Sequence, residues 1–350
     1  MIGGLTVALV TPVTDTGDVS EDGVARLVAT LRPHADALLP ALSTGEGTRL
    51  TDRQWRTMVA ATVRHADGLP VFAGILRPTT AEVAARARAA EELGAAAVVA
   101  TTPYGPGVRQ EDMVRHFTDL TRASGLPVIV YHESWASGNS LDRDTLLRIC
   151  ALPGIAAVKD SAGDPRATRE LIAAHPGVPV LQGLEHLLLE CGSPGPVARV
   201  PPARRRPARS PKLFEQGGPP LAAPGTDPST SSTRACTRHA ESTLPQALDC
   251  ARAGGTPMTP QGPPSGRTTG PSQQALGGCV VALGNVEPGL CRALLGEPAA
   301  ADAARLTEAC ARYGLDRDDW YLTLKTELHR RGVLETAREV PEPMDKEVPR

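Results

Sequence analysis

The sequence predicts an α/β fold, a TIM (β/α)8 barrel with a C-terminal helical extension, on three observations. Short runs rich in Val, Ala and Leu alternate with amphipathic helical stretches seven times before Gly192, and parallel strands need such crossover helices. An eighth apolar run, Val280–Leu283, brings the strands to the number a closed barrel requires. No Gly-x-Gly-x-x-Gly follows the first strand, which disfavours the competing doubly wound open sheet.

The strands are expected at Leu5–Val10, Ala37–Leu42, Val71–Ile75, Ala96–Ala100, Val128–Tyr131, Ala156–Lys159 and Val178–Leu181. Apolar residues at helical spacing place helices at Glu21–Leu31, Asp52–Arg64, Ala81–Leu93, Gln110–Ala123, Arg143–Ala151, Pro165–Ala174 and Glu185–Glu190. After the eighth strand, Asn285–Gly296, Ala299–Tyr313 and Asp316–Arg331 read as three further helices. Asp316 stands at the N-cap of the last, and Trp320, Leu322, Leu324 and Leu328 lie on its apolar face.

Four segments follow from this pattern: barrel units one to seven over 1–192, an insertion over 193–277, strand eight and the C-terminal helices over 278–335, and a frayed tail over 336–350. The insertion opens with Pro201-Pro-Ala-Arg-Arg-Arg-Pro-Ala-Arg209, is dominated by Pro, Gly, Ser and Thr, and lacks apolar periodicity. Such a segment is expected to be disordered. It follows a helix and precedes a strand, so a barrel places it on the face opposite the active site. An in-frame insertion, or an error in the coding sequence, explains it better than an exchange of core residues, because Leu189–Gly192 and Gly278–Leu283 read as adjoining pieces of one unit.

A net charge of -2 over 350 residues argues against a general nucleic-acid surface. No apolar stretch reaches the roughly 20 residues needed to cross a bilayer, and no basic region precedes Leu5–Val10 as a signal peptide would require. The seven cysteines show neither a CxxC nor a Cys/His ligand spacing, which suits reduced thiols in a cytoplasmic protein without a metal site.

The chemistry concentrates at strand ends. Ile155–Val158 is a short buried run that closes on Lys159, and desolvating an ammonium there is costly. A lysine neutralised by its surroundings is the nucleophile for a Schiff base with a ketone, whereas a strand-end lysine reaching water is the alternative. Strand two ends in Leu42-Ser-Thr-Gly-Glu46, whose hydroxyls and backbone N–H groups can cradle a carboxylate or simply cap a helix start. Strand four ends in Thr101-Thr-Pro-Tyr-Gly105 and strand five in Tyr131-His-Glu-Ser134, so Tyr131 and Lys159 face the same barrel mouth.

Ser43-Thr-Gly-Glu46, Thr102-Pro-Tyr104, Tyr131 and Val158-Lys-Asp-Ser161 together resemble the dihydrodipicolinate synthase / N-acetylneuraminate lyase family. Val10-Thr-Pro-Val13 and Gly284-Asn285-Val286 match it as well. The resemblance spans 1–192 and about 278–335. It implies a barrel enzyme, a homo-oligomer (dimer or tetramer), that binds pyruvate or a related 2-oxo acid through a lysine Schiff base with no other cofactor. It makes Lys159 similar to the Schiff-base lysine, Tyr131 to the proton-relay tyrosine, and Ser43 and Thr44 to the hydroxyl pair that holds the pyruvate carboxylate. Gly183 and Val280 match pocket-lining positions, and His132, Glu133 and Trp135 shape the acceptor pocket or merely cover the mouth.

Two positions depart from the family. Gly105 stands where many relatives carry a second relay tyrosine. Ala136 stands where dihydrodipicolinate synthases carry an arginine, so the bidentate grip on an acceptor carboxylate is lost. The resemblance therefore implies an aldolase or lyase acting on pyruvate and an aldehyde or imine other than the usual one. A 2-keto-3-deoxy sugar acid dehydratase using the same iminium is the second reading. A non-catalytic or impaired member, damaged by the insertion, is the third.

Overall fold

The computed structural model describes residues 2–174, 176–191, 276–296 and 298–342. The predicted insertion lies outside the described residues except for Leu276 and Gly277, which are ordered, Leu276 being buried.

Eight parallel strands form the ring: β1 (Gly4–Ala8), β2 (Ala37–Leu39), β3 (Phe72–Ile75), β4 (Ala97–Ala100), β5 (Val128–His132), β6 (Ile155–Asp160), β7 (Val180–Gln182) and β8 (Gly278–Val281). Their order is β2-β1-β8-β7-β6-β5-β4-β3, and a parallel bridge from Leu38 to Val71 draws the two ends together. β8 pairs with β1 through Gly4↔Gly278 to Val7↔Val281, and with β7 through Leu181↔Gly278. A Cβ on Gly278 would fall 2.3 Å from the Gly4 carbonyl oxygen, so this seam closes only around glycine. Asn285 secures the other end of the seam, accepting from Val10 N–H at 3.2 Å and donating to the Ala8 carbonyl at 2.7 Å.

The outer layer is α1 (Glu21–Leu31), α2 (Asp52–His65), α3 (Thr80–Glu92), α4 (Gln110–Ala123), α5 (Arg143–Cys150) and α6 (Pro165–Ala173). Side-chain caps start most of them. Ser20 caps α1, Thr51 with Gln54 and Thr79 with Glu82 form capping boxes on α2 and α3, and Asp142 and Asp164 cap α5 and α6. The extension is α7 (Pro288–Leu294), α8 (Ala300–Tyr313) and α9 (Trp320–Arg330).

Several boundaries differ from expectation for local reasons. β2 stops at Leu39 because Pro40 offers no N–H and Ala41 turns left-handed with φ 62°. The helix expected at Glu185–Glu190 is a short 3-10 turn, Glu185–Leu187. Asp316 does not cap α9. Left-handed Gly314 closes α8, the following turn is pinned by Arg317 on Asp319 at 2.8 Å, and the helix begins at Trp320. The tail expected to fray from 336 is held as far as Glu342. Val340 is fully buried and Arg49 pairs with Glu339 and, at 3.2 Å, with Glu342.

Candidate active site

Side chains alternate along a strand, so Ile129 and Tyr131 of β5, Ala157 and Lys159 of β6, Leu181 of β7 and Val280 of β8 share the inward direction. The apolar members belong to one buried cluster with Ala8, Leu39, Phe72 and Val99 that fills the barrel. Parallel register sets Tyr131 beside Lys159 near the C-terminal ends of their strands. Lys159 is 4% exposed, and its Nζ stands 3.8 Å from the centre of the Tyr131 ring. Burial pushes its pKa from the ordinary 10.5 down to about 7, against the opposing pull of Glu185 and Glu133. An amine in that range is neutral for much of the time near neutral pH and can act as a nucleophile.

Gly183 follows β7 and makes room for this side chain. A Cβ there would stand 2.1 Å from Ser161 Oγ and 3.0 Å from Lys159 Cε. The Tyr131 phenol shares a hydrogen bond with Ser43 Oγ at 3.3 Å. Burial drives the phenol pKa above its usual range; the bond to Ser43 opposes the rise, as do Ser161 and Trp135 nearby.

The turn after β2 carries Ser43 and buried Thr44, and its backbone is held from several sides. Thr11 Oγ1 donates to the Gly45 carbonyl at 2.6 Å, Gly47 N–H donates to the Leu42 carbonyl at 2.9 Å, and Arg77 donates to the Leu50 carbonyl at 2.6 Å. Glu46, left-handed with φ 56°, is buried in the same turn. It accepts from Lys325 Nζ at 2.8 Å and from Val340 N–H at 2.6 Å.

Ser43, Tyr131, Lys159 and Gly183 thus meet at one end of the barrel, with Val280 lining the interior below and Thr44 beside Ser43. Glu133 is buried, accepts from Thr101 Oγ1 and from Ala136 N–H at 2.7 Å, and acts electrostatically on Lys159, Tyr131 and Tyr104. His132 alternates to the other side of β5, where its Nδ1 meets Asp160 Oδ1 at 3.1 Å. The structure therefore turns it away from the amine. Two residues carried no role in the sequence reading. Glu185 is buried and binds the N–H groups of Ala282 at 2.6 Å and Leu283 at 3.0 Å. Ser161 Oγ is buried without a hydrogen-bond partner. The signal for both was their place at strand ends, two residues from Gly183 and Lys159. Among the described residues no cluster of His, Cys, Asp or Glu is grouped to hold a metal ion, and no helix is long and apolar enough to cross a membrane.

Comparison with known proteins places this geometry. The dihydrodipicolinate synthetase family matches residues 1–201, more than half of the chain. A 4-hydroxy-tetrahydrodipicolinate synthase of Neisseria gonorrhoeae is 32% identical over 220 residues, which is 61% of this chain and 74% of that protein. A dihydrodipicolinate synthase structure from Bacillus anthracis is 28% identical, covering 54% of this chain and 66% of its own at a TM-score of 0.52. The 4-hydroxy-tetrahydrodipicolinate synthase of Methylacidiphilum fumariolicum, at 19% identity, shares the fold over 97% of this chain and 90% of its own with a TM-score of 0.67.

Proposed function

The chain belongs to the dihydrodipicolinate synthetase family and is an enzyme of the carbon–carbon lyase type, and we propose that it joins pyruvate or a related 2-oxo acid to an aldehyde or imine through Lys159. The buried amine over the Tyr131 ring carries this reading. The lysine nitrogen attacks the C2 carbonyl, and loss of water gives an iminium. That iminium is the electron sink when C3 gives up a proton, and the resulting enamine carbon adds to the acceptor carbonyl. Tyr131, hydrogen-bonded to Ser43, delivers the proton that the new alkoxide takes, and water then hydrolyses the iminium to free the product and the lysine. Ser43, Thr44 and the backbone of their turn hold the 2-oxo acid carboxylate. The covalent lysine supplies the chemistry without a further cofactor. Run backwards, the same steps release pyruvate.

Borohydride reduction in the presence of pyruvate, followed by mass spectrometry, tests the reading. A single reduced pyruvate adduct is expected on the peptide containing Lys159, and the Lys159→Ala variant should give none. An adduct that persists in that variant, or its absence from the folded parent protein, removes the proposal.

A further inference from the structure

Trp135 stands out on the barrel mouth. It is the one large apolar side chain left exposed among the described residues, at 58%. It lies four residues past Tyr131 in the turn after β5, near enough to the phenol to act on it. Trp320, the first residue of α9, meets it edge to face with ring centres 6.3 Å apart and planes at 89°. Trp320 packs in the same manner on Tyr321 at 5.8 Å. An aromatic surface of this kind is positioned beside the carbon-forming centre, yet most of its ring is open.

The charges around it say what it can recognise. The two groups that act on Lys159 are both carboxylates, Glu133 and Glu185. Ala136, adjacent to Trp135, cannot grip an acid. The two cations that act on Tyr104 are engaged elsewhere: Arg77 directs its guanidinium at the carbonyls of Gly47, Leu50 and Leu76, and Arg86 pairs with Asp52 at 2.8 Å. A second carboxylate on the acceptor would meet like charge and no fixed donor fork. A flat uncharged ring would instead cover Trp135 in offset or edge-on contact.

We propose that Trp135, backed by Trp320, is the acceptor-recognition surface of this enzyme, and that the acceptor is an uncharged aldehyde bearing an aromatic ring. The inference rests on the Schiff-base reading of Lys159. The enamine carbon bonds to the aldehyde carbon, the carbonyl π electrons become the alkoxide lone pair, and that oxygen takes the Tyr131 proton. The product is a 4-hydroxy-2-oxo acid with the ring still against Trp135.

The test uses the full chain with pyruvate and two aldehydes of similar carbonyl reactivity, 3-phenylpropanal and 4-oxobutanoate. Turnover should favour 3-phenylpropanal, and Trp135→Ala should raise its KM about tenfold or more while leaving the KM for pyruvate in place. Trp135→Phe should restore most of the loss, which a purely structural role would not predict. Preference for 4-oxobutanoate overturns the proposal, as does an unchanged 3-phenylpropanal KM in Trp135→Ala. A sedimentation change in that variant with unaltered aldehyde preference also overturns it, and assigns Trp135 to a contact between copies of the chain. Failure of the underlying reading is seen separately, as a missing borohydride adduct before any aldehyde is added.

Discussion

A lysine ammonium titrates at 10.5 when water solvates it, and Lys159 loses that solvation inside the barrel. Only the neutral amine attacks a carbonyl, so the rate of pyruvate adduct formation should follow the deprotonated fraction. With a pKa of about 7 that fraction rises roughly tenfold per pH unit below 7, is about 1% at pH 5, and levels off by about pH 8. A solvated lysine would continue to climb past pH 9. Initial rates of borohydride-trapped adduct between pH 5 and 9 distinguish the two, and a profile still rising steeply at pH 9 rejects the buried-amine account. At this scale much of the site was legible in the sequence. Strand-end position was enough to set Lys159 and Tyr131 at one barrel mouth, whereas Gly183 came only from the family resemblance, and the close approach it permits is seen only in the fold. His132 was misleading because adjacent residues on a strand face opposite ways, and the sequence does not reveal that Asp160 awaits it on the far side. Glu185 was hidden because its carboxylate serves backbone N–H groups of Ala282 and Leu283, nearly a hundred residues further along the chain.

The last helix of the extension reaches the mouth twice. Trp320 meets Trp135 of the β5 turn, and five residues later, about 7.5 Å along the axis, Lys325 meets Glu46 of the β2 turn. Lys325 and Glu46 are almost wholly buried, their side chains 0% and 1% exposed, so each charge depends on the other. Burial drives the Lys325 pKa down and the Glu46 pKa up, while their mutual attraction resists both shifts. Removing one partner leaves an uncompensated charge, and Lys325→Met should cost about 3–5 kcal/mol in chemical denaturation. The Glu46→Gln/Lys325→Met double variant should recover a substantial part of it. Because Glu46 lies in the turn with Ser43 and Thr44, the single variant should also raise the KM for pyruvate. Unaltered stability and pyruvate KM in Lys325→Met would show that the helix is not an anchor for that turn. Of the apolar face the sequence marked, Leu324 and Leu328 are buried and Trp320 packs against the core, whereas Leu322 is only half-buried, and the start was placed at Asp316. An acidic residue before an apolar run resembles a cap, whereas the true start is fixed by the Arg317–Asp319 pair and by the contact of Trp320 with a residue 185 positions earlier. By contrast α1 and α4, whose periodicity and boundaries are local, have the bounds expected of them.

Over the whole molecule, the ring closes only because β8 returns between β7 and β1 after a long departure of the chain. The two points of departure are close to the same core. Cys191 and Leu276 belong to one buried cluster with Ile172, Val180 and Leu187. Gly277 joins it to the sheet, donating to the Val180 carbonyl at 2.9 Å and accepting from Gly4 N–H at 3.0 Å. Val180, Gly278 and Gly4 each begin a strand, so the re-entry point lies at the N-terminal ends of β7, β8 and β1. Tyr131, Lys159 and Gly183 lie at the C-terminal ends of β5, β6 and β7, at the opposite rim. The chain leaves at Cys191, whose Sγ accepts from Gln182 Nε2 at 3.0 Å next to Gly183, and re-enters at the opposite rim, so removing the residues between tests whether the chemistry needs them. A variant lacking residues 193–275, keeping Leu276 and Gly277 for their buried contacts, should still fold and form the pyruvate adduct on Lys159 at a rate within about threefold of the full chain. That margin is the scatter expected for a change distant from the reacting atoms, roughly 0.5 kcal/mol. Circular dichroism reports the fold and borohydride trapping the adduct. A deletion variant with intact helical signal and no adduct would mean that residues 193–275 are required for the chemistry on Lys159.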